Sequence, residues 1–98
     1  KGITATAGGF YGPQGRVLRL PLQDSELNTK INSFNYNGQK ISNLEMETSA
    51  IYGLSKLLGH NAISMNAIIA NRTNEVFSEN PDKVIEDLIL YTIDRIIN

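Results

Sequence analysis

The sequence predicts an α/β layered domain, and three observations carry that prediction. Segments with strand-like alternation take turns with segments of helical periodicity, the order expected when helices pack on a sheet. One apolar run, Ala62 to Ala70, is nearly continuous, as in a strand covered on both faces of a parallel or mixed sheet. The last helical pattern opens on Asn80-Pro81, a start signal, and keeps one broad apolar face.

In chain order, Gly2 to Ala7 is short, β-branched and alternating, which reads as a strand ended by Gly8-Gly9. Phe10 to Arg16 follows as a loop, its backbone constrained by Gly12, Pro13 and Gly15. Val17 to Leu22 reads as briefly extended. Asp24 or Ser25 then caps a helix running to about Asn35, with Leu27, Ile31 and Phe34 on one face. Asn37-Gly38 signals a turn, and Lys40 to Glu45 a second extended segment.

Thr48 to Leu58 is the next helix, with an apolar face of Ala50, Ile51, Leu54, Leu57 and Leu58 and a stop at Gly59. His60 reads as a partner for that helix's C-terminal dipole rather than as a catalyst or metal ligand. After the Ala62–Ala70 strand, Asn71 to Glu79 is a polar loop. In the final helix Val84, Ile85, Leu88, Ile89, Ile93, Ile96 and Ile97 face inward, with Glu86, Asp87, Asp94 and Arg95 outward. Three strands make a small sheet with exposed edges. The chain also begins at Lys1, without Met, on the edge of a strand. The expectation is a piece of a longer protein whose preceding part supplies further strands.

Composition narrows the function classes. At 98 residues the chain holds at most one domain. Nine Lys and Arg balance ten Asp and Glu with no basic stripe, which argues against nucleic acid as a partner. There is no Cys, so disulfides and thiolate metal sites are excluded, and a reducing compartment fits. No apolar run approaches the roughly 20 residues of a membrane span. The expectation is a cytoplasmic protein with no membrane partner.

Three stretches at expected strand ends carry chemistry, the place where α/β folds hold ligands. They are Phe10-Tyr11-Gly12-Pro13-Gln14-Gly15-Arg16, Asn43-Leu44-Glu45-Met46-Glu47 and Ile68-Ile69-Ala70-Asn71-Arg72-Thr73. Glu45 and Glu47 lie two positions apart, so in an extended backbone they project to the same side. Carboxylates set among Leu44, Met46, Ala50 and Ile51 need partners, and sugar hydroxyls donate well to them. Taken singly, each residue has a plainer reading: Phe10 and Met46 as packing, Arg16 and Arg72 as surface charge, Gln14 as solvated. An acidic first turn of a helix would equally explain the two Glu.

Together, Phe-x-x-x-Gln-x-Arg, Glu-Met-Glu and Asn-Arg-Thr in this order resemble the C-terminal part of the nucleoside phosphorylase family, the uridine phosphorylase branch in particular. The resemblance covers residues 1–98 as the C-terminal part of one nucleoside phosphorylase domain. It implies a three-layer αβα fold around a mixed, mostly parallel twisted sheet. It implies phosphorolysis of uridine to uracil and ribose 1-phosphate in pyrimidine salvage, with phosphate as co-substrate and no metal or organic cofactor. Phe10 would pack against the nucleoside, Gln14 would read the pyrimidine ring, and Arg16, with Arg72 behind it, would sit near a uracil carbonyl. Met46 and Glu47 would contact the ribose, Glu47 taking a hydroxyl. Glu45 would border the substrate in a supporting role, and Ile69 and Ala70 would wall the base. Arg16, Arg72 and Glu47 are the residues expected to act in catalysis.

The chemistry agrees with those residue types. As an N-glycosidic bond stretches, the ribose gains positive charge and the departing pyrimidine negative charge. Donors fixed where the negative charge develops lower the barrier, which suits Gln14 and Arg16. A purine leaving group would favour an Asp that protonates the ring, and the Asn71-Arg72 loop has none. Two departures stand out: Gly12-Pro13 reverses the branch's usual order, and Leu44 replaces an aromatic commonly found before Glu-Met-Glu. The family's phosphate-binding Gly-rich loop and arginines belong to its N-terminal half and have no counterpart in these residues. Family members form homo-oligomers, dimer-based and up to hexamers, that share sites between subunits. Two alternatives stay open: a purine nucleoside phosphorylase or water-using nucleosidase of the same fold, and a non-catalytic fragment without a phosphate site.

Overall fold

A computed structural model describes residues 1–98 and divides them into two compact units, Lys1–Ala62 and Ile63–Asn98. The first contains β1 (Ile3–Thr6), α1 (Leu27–Ser33), β2 (Ile41–Glu45) and α2 (Thr48–Leu57). The second contains β3 (Ala70–Asn71), β4 (Val76–Phe77) and α3 (Pro81–Ile97). The architecture is small and mixed α/β, with a two-stranded sheet in each unit. No helix is long and apolar enough to cross a membrane.

β1 and β2 pair in parallel, with Ile3 opposite Ile41, Thr4 opposite Asn43, Ala5 opposite Leu44 and Thr6 opposite Glu45. A parallel pair needs a long crossover, and residues 7–40, with α1 among them, provide it. The register slips between Ile3 and Thr4, leaving Ser42 as the extra residue, its hydroxyl donating to the Ile3 carbonyl at 3.3 Å. Beyond the slip the period-two rule sorts the side chains cleanly. Thr4, Thr6, Asn43 and Glu45 share one face; Ala5 and Leu44 share the other. On the polar face the Asn43 amide donates to the Thr4 hydroxyl oxygen at 3.3 Å.

Local chemistry sets the remaining boundaries of this unit. Asp24 precedes α1 by more than a cap position. Its carboxylate accepts the Glu26 N–H at 3.0 Å and pairs with Lys30 at 2.5 Å, so it orders the turn that leads into the helix. The Lys30 hydrogen bond, and after it the Glu26 amide, hold the Asp24 carboxyl below its ordinary range. Asn37 (φ 50°) and Gly38 (φ 80°) are both left-handed and join Tyr36 to Gln39 through reciprocal 2.9 Å bonds, a type I′ turn. α2 closes with the His60 N–H on the Ser55 carbonyl (2.7 Å) and the Gly59 N–H on that of Lys56 (3.4 Å), the Schellman pattern. Residues 17–22 form no strand.

In the second unit the expected Ala62–Ala70 strand does not form. Residues 61–69 are irregular and Ile63 is 79% exposed. The physical reason is pairing. A strand needs a neighbour for its N–H and C=O groups, and this run has one only at its end. There a short antiparallel hairpin pairs Ala70 with Phe77 and Asn71 with Val76, so that all but Ala70 of its paired residues fall in the segment expected to be loop. The Asn71 side-chain oxygen accepts the Thr73 and Asn74 amides at 3.0 and 3.3 Å and so builds the turn. α3 starts as its sequence predicts: Pro81 follows Asn80, whose side chain accepts the Lys83 N–H at 3.1 Å. Lys83 pairs with Asp87, and the Arg95 guanidinium lies over the Tyr91 ring.

The amphipathic faces exist, but their burial differs from expectation. Leu54, Leu57 and Leu58 on α2 and Ile89, Ile96 and Ile97 on α3 are exposed. Neither two-stranded sheet is broad enough to cover a helix face, and small units bury little of their surface. The buried residues are Ala7, Gln14, Gly15 and Thr48. All four belong to the first unit: Ala7 directly follows β1, Gln14 and Gly15 lie in the loop beyond, and Thr48 opens α2. The tightest packing in the molecule is therefore at the C-terminal end of the parallel pair.

Candidate functional site

Two of the three chemistry-bearing stretches leave that end together. The pairing of Thr6 with Glu45 continues as the Ala7 N–H donates to the Glu45 carbonyl at 2.8 Å. From there β1 runs into the Phe10–Arg16 loop, and β2 into the Met46–Glu47 turn and α2.

The Phe10–Arg16 loop is a self-supporting unit. Gly12–Gln14 make one 3-10 turn, and the Tyr11 carbonyl accepts the amides of Gln14 (3.1 Å) and Arg16 (2.9 Å). Gly15 ends the turn with φ 76°, and the place a Cβ would take is filled by the Asn28 side chain. That side chain donates to the Gly15 carbonyl at 3.0 Å and ties the loop to α1. Gly15→Ala is expected to cost at least about 1–2 kcal/mol, from the left-handed backbone alone. Urea unfolding measures it, and an unchanged midpoint would contradict the strained geometry.

Inside the loop one Arg16 nitrogen, Nη1, donates to the Phe10 carbonyl and to Gln14 Oε1, both at 2.6 Å. Because a guanidinium only donates, the Gln14 atom facing it is the oxygen, which fixes the amide's orientation. The guanidinium also lies over the Phe10 ring, 4.0 Å from its centroid, while Tyr11 meets that ring edge-on at 5.1 Å. Phe10, Gln14 and Arg16 thus form one cluster, with Gln14 buried and Phe10 half exposed. An open groove of about 730 Å³ lies alongside, lined by Tyr11, Arg16, Val17, Leu18, Leu20 and Leu22. It takes in Arg16 but not Phe10, Gln14 or Glu47, so the polar groups do not converge there.

In the second stretch the two carboxylates are used differently. Glu45 Oε1 accepts the Thr6 hydroxyl at 2.5 Å, and Oε2 accepts the Glu47 and Thr48 amides at 2.8 and 2.7 Å. Both oxygens therefore bind protein donors, which is a supporting role at the start of α2. Partial burial alone would raise this carboxyl. The Thr6 hydroxyl, the two amides and the Thr48 side chain outweigh it and hold the pKa at about 2, against an ordinary 4.5. Glu47 has already left the extended backbone (φ −126°, ψ −33°), so the same-side argument from strand geometry ends at Glu45. The Glu47 carboxylate accepts one weak bond, from the Met46 N–H at 3.2 Å, and it is exposed. Met46 beside it is 40% exposed.

The Glu45 linkage gives a signed prediction. Its folded pKa lies below its unfolded value, so its contribution is complete above about pH 4.5 and is lost as the pH falls toward 2. The full shift would be worth about 3 kcal/mol, and solvent screening at this partly exposed site lowers that to roughly 1–2 kcal/mol. Urea midpoints between pH 6 and pH 2 are expected to fall more steeply for the wild type than for Glu45→Gln. Parallel curves would refute the linkage.

Ile69 and Arg72 belong to the other unit. The Ile69 carbonyl accepts the Ser78 N–H at 2.7 Å, and Arg72 opens the turn of the β3–β4 hairpin. Thr6 and Asn28 lie outside all three chemistry-bearing stretches, yet both support the site. Both had a signal: Thr4 and Thr6 alternate on one strand face ahead of the strand-end acid, and Asn28 is a polar residue beside Leu27 on the face of α1. No group of three or more His, Asp or Glu is placed to hold a metal ion. No protein-family model, no curated protein and no solved structure matches the chain.

Proposed function

We propose that the chain is the nucleoside-handling part of a uridine phosphorylase-like pentosyltransferase. The observation that carries this reading is the shared exit of two stretches from adjacent parallel strands. One brings an aromatic ring, an oriented amide and a guanidinium; the other brings an exposed carboxylate. That is a complementary pair of surfaces for a molecule with a planar acceptor-rich base and a hydroxylated sugar. In this reading Glu47 takes a ribose hydroxyl, and Gln14 and Arg16 stabilise the negative charge that builds on departing uracil. The reaction takes phosphate as co-substrate and uses no metal or organic cofactor. The rest of the proposal is a cytoplasmic homo-oligomer with the three-layer αβα fold.

The test is an assay of the full-length protein with uridine, inosine and adenosine, with and without phosphate. Phosphate-dependent release of uracil from uridine is the expected result. A strong purine preference would overturn the pyrimidine assignment, and cleavage independent of phosphate would overturn phosphorolysis. The isolated 98-residue chain is expected to show no turnover.

A further inference from the structure

Thr6 stands outside every motif of the sequence, yet its hydroxyl holds the carboxylate stretch in place. Thr6 Oγ1 donates to Glu45 Oε1 at 2.5 Å and accepts the Ser49 N–H at 3.1 Å. One oxygen therefore links three elements: the end of β1, the end of β2 and the first turn of α2. Glu45 passes the restraint on, because its other oxygen holds the amides of Glu47 and Thr48. The backbone of Glu47 is thus fixed from β1 through two side chains, although the Glu47 side chain itself makes no cap to the helix. Thr48, next in line, is among the buried residues, so the anchored turn is also a tightly packed one.

We propose that Thr6 is a positioning residue of the nucleoside site: through Glu45 and Ser49 it sets where the Glu47 carboxylate meets the sugar. This rests on the reading of Glu47 as the ribose contact. A hydroxyl is required because the position must donate to a carboxylate and accept from an amide at once. Ser can do both; Val, of the same shape, and Ala can do neither. Misplacement of a binding group by about 1 Å can cost on the order of 100-fold in rate. The loss falls on the substrate feature that the group recognises.

The experiment compares the full-length wild type with Thr6→Val, Thr6→Ala and Thr6→Ser on uridine, 2′-deoxyuridine and 3′-deoxyuridine at saturating phosphate. In the wild type, kcat/KM is expected to favour uridine over the analogue lacking the hydroxyl that Glu47 takes. In Thr6→Val and Thr6→Ala that preference is expected to collapse by about tenfold or more, with the KM for phosphate unchanged. Thr6→Ser is expected to keep it. A substrate ratio does not depend on how much protein is folded, so instability of one variant would not imitate the result. Active Val and Ala variants that keep the wild-type ratio would overturn the positioning role alone, as would a Ser variant that loses it. A wild type inert toward all three nucleosides would overturn the site reading, and this proposal with it.

Discussion

Glu47→Ala is expected to lower kcat/KM for uridine by about 100- to 1,000-fold, the range seen when a preorganised transition-state contact is removed. The Glu47 carboxylate lies exposed beside the N-terminus of α2 and accepts only the Met46 N–H from its own chain. Its oxygens keep capacity for ligand hydroxyls. As the glycosidic bond stretches, the sugar becomes cationic and its hydroxyls become better donors, so bonds to a fixed carboxylate strengthen toward the transition state. Loss of such a bond falls on kcat as well as KM. Glu47→Gln keeps the shape and loses the charge, so it is expected to fall between the two. Thermal unfolding of the Ala variant is expected to match the wild type, because no helix amide depends on the Glu47 side chain. A variant with near-normal kcat/KM would remove Glu47 from the mechanism.

Local rules made much of the fold legible in the sequence. Asn80-Pro81, Asn37-Gly38 and Gly59 each govern a few neighbouring bonds, and each forms the cap or turn its residues predict. The alternation of Ile3 to Thr6 likewise fixed a strand and its faces. The Ala62–Ala70 run departs from the expected strand because apolar content reports burial, while strand formation needs a partner in register, which lies outside any local window. The Asn71 side chain then decides the local outcome by nucleating a hairpin. The amphipathic faces of α2 and α3 were legible as patterns; their exposure was not, since burial depends on what lies opposite. At the site, the side chains with chemistry could be named from their types and spacing. Their supports could not. Thr6 is 39 residues from Glu45 and Asn28 is 13 from Gly15, and no motif joins them. The division of labour between Glu45 and Glu47 was hidden for the same reason: a hydroxyl from β1 decides which acid turns inward.

Arg16→Lys, a change that keeps the charge, is expected to cost about 100-fold in kcat/KM for uridine. The expectation follows from geometry. The Arg16 guanidinium lies over the Phe10 ring while its Nη1 reaches the Phe10 carbonyl and Gln14 Oε1, both at 2.6 Å. A planar fork can stack and donate within one arrangement; a single ammonium cannot do both at those positions. The Lys variant therefore loses the fixed Gln14 amide together with its own directed donors, the two groups assigned to the departing uracil. If their work is to hold negative charge, a better leaving group needs them less. A 5-fluorouracil leaving group carries that charge more easily, so the Lys variant is expected to recover several-fold on 5-fluorouridine relative to uridine, measured against the same pair in the wild type. Gln14→Ala is expected to follow the same trend. Equal losses on both substrates would mean that the Phe10–Gln14–Arg16 cluster shapes the site without stabilising the leaving group, and the electrostatic role would have to be given up.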